Sequence, residues 1–332
     1  MSSQLPNLRG LSPDERDHYI IDHLVSSPVP VSGEVLAAEL GMSRVALWKR
    51  IESLKAWGYG IEASRKGYVL VRNDGLAGWE PGLTCEAAPG PVVLFDTVGS
   101  TMDEARRLAA AGAPSGAAVL ALAQSSGRGR NGGAWDSPAG GLYLSVVLRS
   151  HLPPSHAGAL SLEAALKALD ALGQAGVVSL EFSWPGSIVS RASGRNAARA
   201  SVRKVGGILV EAYGDIGQAD FYIVGLGLNT APSELADLGG APGSGAPARR
   251  SALAASFVGS LVAWAADPRL DPSRWQGLVP GRGSSMTLEL WNGSHRSFVP
   301  SGFNDRGDLV PAKGGPAVSI GECRHIHKEG ES

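Results

Sequence analysis

The stretch that most constrains the fold is ALAQSSGRGRNGGAWDSPAGGLYLSVVL, residues 121–148. One apolar strand runs out at Gln124. A glycine-rich segment carries Arg128 and Arg130, then come Trp135 and a Ser-Pro turn, and a second apolar strand begins at Leu142. Two buried strands therefore hold the loop by its ends. Such a loop suits an anionic ligand. Its glycines let backbone come close, its guanidinium forks match carboxylate or phosphate, and its flexibility lets it close over what it binds. A glycine-rich turn alone is a weak signal. GRGR followed by Trp and Ser-Pro between two strands is far more specific.

Around that loop the chain reads as several units. Its 332 residues exceed one ordinary core and suit two or three domains. Residues 1–10 read as a flexible tail, 11–73 as a compact helical unit, and 74–91 as a linker rich in Gly, Pro and Ala. From Val92 short apolar strands alternate with helical stretches up to about residue 278. VVLFD, AAVLALAQ and LYLSVVLR read as strands, and VRKVGGILVEAYG with ADFYIVGLGLN as two buried strands of an antiparallel or mixed sheet. STMDEARRLAAAG, LSLEAALKALDALGQAG and SALAASFVGSLVAWAAD read as helices, the first capped at Ser100 or Thr101. Residues 279–328 turn to short β segments that suggest a small terminal barrel. The fold class is α+β.

Composition excludes several function classes. A net charge of −1 rules out an extended basic coat or an acidic tail. Two cysteines, Cys85 and Cys323, cannot make a disulfide framework or a Cys-rich zinc site, and are expected as free thiols. His325 and His327 lack partners at zinc spacing and read as plain surface residues. There is no apolar run of membrane-spanning length and no apolar signal core at the start, so a cytoplasmic protein is expected. GSGAPA near residue 243 is a low-complexity loop.

The N-terminal unit reads as a nucleic-acid reader. DERDHYIIDHLVSS is an amphipathic helix with Tyr19, Ile20, Leu24 and Val25 on its apolar side. Ser32 caps a short helix ending at Gly41. Ser43 caps the next, with Val45, Leu47, Ile51 and Leu54 at inward spacing. A short helix, a Gly turn and a second helix make a helix-turn-helix, and YGIEASRKGYVLV adds the hairpin of the winged variant. Between Ser43 and Lys66 there are six basic residues against two acidic ones. Ser43, Arg44, Lys49 and Arg50, at or near the start of the second helix, are the candidates for base edges, and Arg65 and Lys66 on the wing for phosphate. The other reading is a winged helix used for protein contacts. A single module binds DNA modestly, so a dimer on two half-sites is expected.

Gly127–Gly132 with Trp135, in the pattern GRGRxG-x-x-W, resembles the ligand-ordering loop of the biotin protein ligase family, in its bifunctional form with an N-terminal repressor domain. The resemblance extends over nearly the whole chain. Ser100-Thr101 matches the family's Ser-Thr pair, Gln124 its ligand-contacting Gln, Lys204 the Lys of KxxGIL, Gly227 and Asn229 its G-x-G-x-N strand end, and GFNDRGDL its C-terminal turn. It implies a winged helix, a central mixed-sheet biotin/lipoate ligase-like domain and a C-terminal SH3-like β-barrel. It also implies biotin and ATP as substrates, Mg2+, a biotin carboxyl carrier protein as acceptor, operator DNA, and a homodimer when ligand is bound. Arg128 and Lys204 are then the catalytic pair, Arg128 neutralising the biotin carboxylate and Lys204 sitting at the reacting carboxyl. Ser100, Thr101, Met102, Gln124, Gly129, Arg130 and Gly207 join them around biotin. Arg130, Trp135 and Asn229 serve the nucleotide.

One segment departs from that pattern. Where the family has K-W-P-N-D, with Lys, Asn and Asp serving ATP and Mg2+, this chain has Ser183, Trp184, Pro185, Gly186 and Ser187. Met102 also stands where the family has Asn. No residue here is assigned as a metal ligand. The following stretch, IVSRASGRNAARASVR, carries Arg191, Arg195, Arg199 and Arg203 and no acid. It reads as a solvated loop, or as arginines that meet nucleotide phosphates, DNA or a carrier domain. Two functions stay open: a biotin ligase that also represses transcription, and a non-catalytic repressor responding to biotin or biotinyl-AMP. A lipoyl- or octanoyl-transferring relative is a third, which the winged helix and GRGR disfavour.

Overall fold

The computed structural model describes residues 13–73, 90–177, 180–191, 202–229, 250–281 and 283–328. The N-terminal tail, most of the linker, Cys85, the low-complexity loop near residue 243, Arg195 and Arg199 lie outside the described residues.

The first unit is a winged helix-turn-helix. Helices α1 (Pro13–Ser26), α2 (Gly33–Glu39) and α3 (Arg44–Ala56) precede the antiparallel hairpin β1 (Tyr59–Ser64) and β2 (Gly67–Asn73). Both expected caps form. Ser32 accepts from the Glu34 N–H and Ser43 from the Ala46 N–H, each satisfying a donor the helix start leaves free. Gly41, at φ +61, makes the turn between α2 and α3. Ile20, Leu24, Leu36, Leu40, Leu47, Ile51, Leu54 and Tyr59 form one core of their own. Two residues expected inside are exposed, Val25 and Val45. Ile21 takes the inward place on α1, and on α3 the stripe Leu47, Ile51, Leu54 is complete without Val45.

The central unit is built on a seven-stranded mixed sheet in the order β3-β4-β5-β9-β8-β7-β6. Its strands are β3 (Val92–Val98), β4 (Ala118–Gln124), β5 (Leu142–Leu148), β6 (Leu180–Ser183), β7 (Ser187–Arg191), β8 (Val202–Gly214) and β9 (Ala219–Leu228). Only β3 and β4 run parallel, joined by the crossover helix α4 (Thr101–Ala110), as a parallel pair requires. Helices α5 (Ala157–Gln174) and α6 (Arg250–Ala266) cover one face and α4 the other. This accounts for the nearly continuous apolar run of β5, which is buried along its whole length. Leu142, Leu144, Val146 and Leu148 point to the α5–α6 side, and Val147 to the α4 side. Hairpin β6–β7, which the apolar pattern does not announce, holds the Trp184-Pro185 segment at its turn.

The C-terminal strands are β10 (Met286–Leu290), β11 (His295–Phe298), β12 (Pro300–Phe303), β13 (Leu309–Pro311) and β14 (Cys323–Lys328). They pair as a three-stranded sheet β11-β10-β14 and a two-stranded sheet β12-β13. These two ladders are what the described residues show of the expected small SH3-like β-barrel. This unit is not separate, because Met286, Leu288, Phe303, Leu309, Val318 and Cys323 belong to the same core as the central sheet. The winged unit is tied on by Trp57. Its indole N–H donates to Asp96 at 2.8 Å, while its carbonyl accepts from buried Arg250 at 3.1 Å. No described helix is long and apolar enough to cross a membrane.

Candidate functional site

A cavity of about 440 Å3 opens on the α4 side of the sheet, between the start of α4, the Gly/Arg loop and β14. Ser100, Thr101, Met102, Gln124, Arg128, Gly129, Arg130, Trp135, Lys204 and Gly207 all line it. Ten residues spread over more than a hundred positions therefore meet at one place. Asn229 is not among them. It is exposed at the end of β9, where its backbone N–H bonds Val205.

The loop is folded back on itself. Isolated bridges pair Gln124 with Ser137 and Arg128 with Ala134, and the Trp135 N–H donates to the Gly127 carbonyl at 2.9 Å. A Cβ on Gly127 would stand 2.5 Å from the Trp135 carbonyl, so glycine is required there. The expected hydrogen-bonding residues bond one another. Gln124 Oε1 accepts from the Thr101 N–H at 2.8 Å and from its hydroxyl at 3.1 Å, Gln124 Nε2 donates to Ser137 at 2.7 Å, and Thr101 meets Ser145 at 2.8 Å. Ser100 occupies the N-cap position of α4 without a side-chain capping bond, and its hydroxyl accepts from Arg128.

The two arginines have different partners from those the motif suggests. Arg128 is paired with two carboxylates. It binds Glu211 on β8 through Nε at 3.1 Å and Nη2 at 2.9 Å, and Asp103 on α4 at 2.7 Å. Hydrogen bonding to Glu211 and both carboxylate charges outweigh burial and keep it firmly protonated. Burial raises the Glu211 pKa, but hydrogen bonds from Arg128 and Tyr213 and nearby positive charge more than reverse that, for a net lowering. Arg130 reaches across to the C-terminal strands, donating to the carbonyls of Ile320 and Cys323. It straps the loop to that sheet instead of pointing only at a nucleotide. Burial lowers its pKa.

Lys204 is different. Its ammonium lies 4.7 Å from the centroid of the Trp135 ring, and no carboxylate partner is present among the described residues. Burial, and then the charge of Arg130, lower its pKa. The Trp135 indole lies over backbone. A Cβ on Gly227 would be 2.8 Å from its Nε1, and one on Gly207 3.6 Å from its ring. That Nε1 is buried without an acceptor among the described residues, a polar handle that a ligand can satisfy.

Several lining residues were not anticipated. Tyr143 and Ser145 alternate with the core residues of β5 and face the cavity, a period-2 signal that the buried run LYLSVVL hides. Trp291, Arg324 and His325 come from the C-terminal strands. His325 is exposed, as expected, and also lines the cavity. Arg324 stacks on Trp291 at 5.5 Å and pairs with Glu289 at 2.8 Å. Only register brings them there. Cys323 is a free, buried thiol, its pKa pushed up by burial to about 11.

The lining contains no Asp or Glu, and the described residues hold no cluster of three or more His, Cys, Asp or Glu able to bind a metal ion. Gly186 and Ser187 at the β6–β7 turn offer no carboxylate oxygen. The residues present therefore do not fit Mg2+ held by the protein.

In the winged unit Arg44 and Lys49 are exposed on α3, and Arg65 and Lys66 on the hairpin turn. The Ser43 hydroxyl is engaged in its cap. Arg50 is only partly exposed. It grips Asp17, whose side chain is 1% exposed, through Nε and through Nη2 at 2.7 Å. The expectation that it reads bases gives way to a pair that fastens α3 to α1.

A family model described as the biotin/lipoate A/B protein ligase family matches residues 94–229, and a helix-turn-helix domain model matches 16–69. A Mycobacterium tuberculosis biotin–[acetyl-CoA-carboxylase] ligase is 31% identical over 250 residues, covering 69% of this chain and 86% of that one. The chain belongs to the biotin/lipoate protein ligase family. A Bacillus subtilis bifunctional ligase/repressor BirA is 32% identical over 219 residues, spanning 63% of this chain and 64% of the relative. The matched segment is thus just under two thirds of that relative's length. The fold is that of an Aquifex aeolicus biotin protein ligase solved with biotin and ATP, with a TM-score of 0.52 at 19% identity over 71% of this chain and 98% of that one. For this family member the helix-turn-helix match explains the separate N-terminal core, and the ligase match spans the sheet that carries the cavity.

Proposed function

We propose that the chain is a biotin protein ligase that also represses transcription. The biotin carboxylate attacks the α-phosphorus of ATP, pyrophosphate leaves, and biotinyl-AMP forms. The lysine amine of a biotin carboxyl carrier protein then attacks the acyl carbon and AMP leaves. The attacking groups belong to the substrates, so the protein's task is positioning and charge stabilisation. The observation that carries this reading is Lys204, a half-buried ammonium with no carboxylate partner among the described residues, in a cavity floored by glycines. Its charge offsets the negative charge that builds as the carboxylate meets phosphate. Arg128, tied to Glu211 and Asp103, and Arg130, tied to the C-terminal strands, hold the loop over that site. The exposed basic residues of α3 and the wing bind operator DNA. Two ligand-bound copies on two half-sites supply the affinity one module lacks. ATP and DNA both place this work in the cytoplasm.

A second reading is favoured by Ser183, Gly186 and Ser187 and by the carboxylate-free lining. The protein then binds biotinyl-AMP made elsewhere and acts only as a repressor. Incubation with biotin, ATP and Mg2+ separates the two. Pyrophosphate release supports the ligase, and adenylate-dependent DNA binding with no pyrophosphate supports the regulator.

A further inference from the structure

Two apolar side chains stand out on the outer face of α3. Val45 is 65% exposed and Trp48 54% exposed, one turn apart, on a helix whose inward stripe is already complete. A tryptophan is seldom left this open. Both belong to the first two turns, the part of a recognition helix that meets base edges. Their surroundings are basic, with Arg44 and Lys49 exposed beside them and Arg65 and Lys66 exposed on the wing. Glu52, one turn further along, is the acid on that face.

We infer that Val45 and Trp48 read thymine methyl groups in the major groove. The cations hold phosphate and fix the register, while the apolar pair supplies sequence discrimination by burying C5-methyls, the apolar feature that a base pair presents there. This assignment presupposes the DNA-binding half of the proposed function and adds what the helix recognises. A protein partner fits the face less well. Two side chains on one helix face fall far short of the roughly 800 Å2 per partner of a standard interface, and the exposed Arg44 and Lys49 on the same helix match a polyanion.

The test uses the full chain with a non-hydrolysable biotinyl-adenylate analogue and a random-sequence duplex library. Thymine is expected to be enriched within the selected half-site. The selected duplex is then made with uracil in place of each enriched thymine, which removes only the methyl. Binding is expected to weaken about fourfold per contacted thymine, the worth of one buried methyl. Val45→Ala and Trp48→Asn, both at exposed positions, are expected to erase the thymine-over-uracil preference while biotinyl-adenylate binding and circular dichroism stay unchanged. Equal affinity for thymine and uracil duplexes, with DNA still bound, overturns the methyl reading alone. No DNA binding under any condition overturns it together with the repressor reading. A fall in oligomer mass in the two variants, with DNA affinity unaltered, shows a protein interface instead.

Discussion

The winged helix and the ligand cavity use arginine in the same way: in each, one arginine of the motif is held by carboxylates of the protein itself. In α3 the sequence offers Arg44, Lys49 and Arg50 as equals, yet Arg50 is pulled inward by Asp17, 33 residues earlier. In the loop it offers Arg128 and Arg130, yet Arg128 is neutralised by Glu211, 83 residues later, and by Asp103. Arg44 and Lys49 stay exposed on the helix surface, and Lys204 in the cavity has no carboxylate partner among the described residues. Where a carboxylate lies within reach, a planar guanidinium fork matches it bidentately and is captured for architecture, as at Arg50 and Arg128, while the compact ammonium of Lys204 serves as a point charge.

The largest effect expected from this contrast is at Lys204. Lys204→Met should weaken binding of a biotinyl-adenylate analogue about 100-fold by calorimetry, since a charge-assisted contact in a half-buried site is lost. If Arg128→Ala proves as damaging to affinity while stability is unchanged, the contrast between the two cations fails. Arg50→Ala should cost the winged unit about 3 kcal/mol in denaturant unfolding, because it removes the guanidinium that pairs a buried carboxylate. Lys49→Ala should cost nothing in stability and weaken DNA binding instead. Gly227→Ala sharpens the cavity side. Its Cβ would displace the Trp135 indole, at a cost of about 1–3 kcal/mol, and intrinsic fluorescence reports that displacement.

Smaller effects concern pH. Lys204 has a lowered pKa from burial and from Arg130, so affinity for an anionic ligand should fall as pH rises through that lowered value, before an ordinary lysine would titrate. Lys204→Arg should abolish the decline. Glu211 has a folded pKa below its unfolded one. Its contribution to stability is therefore present above the unfolded value and lost as pH falls through the folded one. Glu211→Gln should flatten that part of the acid limb in denaturant titrations. An unchanged limb would show that the Arg128–Glu211 pair does not hold the loop.

Much of the architecture is readable from residue patterns because its causes are local. Ser32 and Ser43 cap helices through bonds to neighbours two and three residues away. Gly41 supplies a positive φ, and the long apolar run of β5 has to lie in a two-sided sheet. The loop, too, is legible, since glycines and arginines between strands have few other uses. Departures arise where the cause is distant. Val45 satisfies the inward spacing but finds the core already filled. His325 and Arg324 enter the cavity only because β14 pairs with β10.

The order of amino acids by itself settled the periodicities, caps and turns, and with them a winged helix, a mixed sheet and the Gly/Arg loop that lines the cavity. The tertiary structure decided which charges are spent inside the protein and which face outward. Ion pairing depends on through-space distance and burial, and the acids that capture Arg50 and Arg128 from 33 and 83 residues away leave no mark on the local pattern around either arginine.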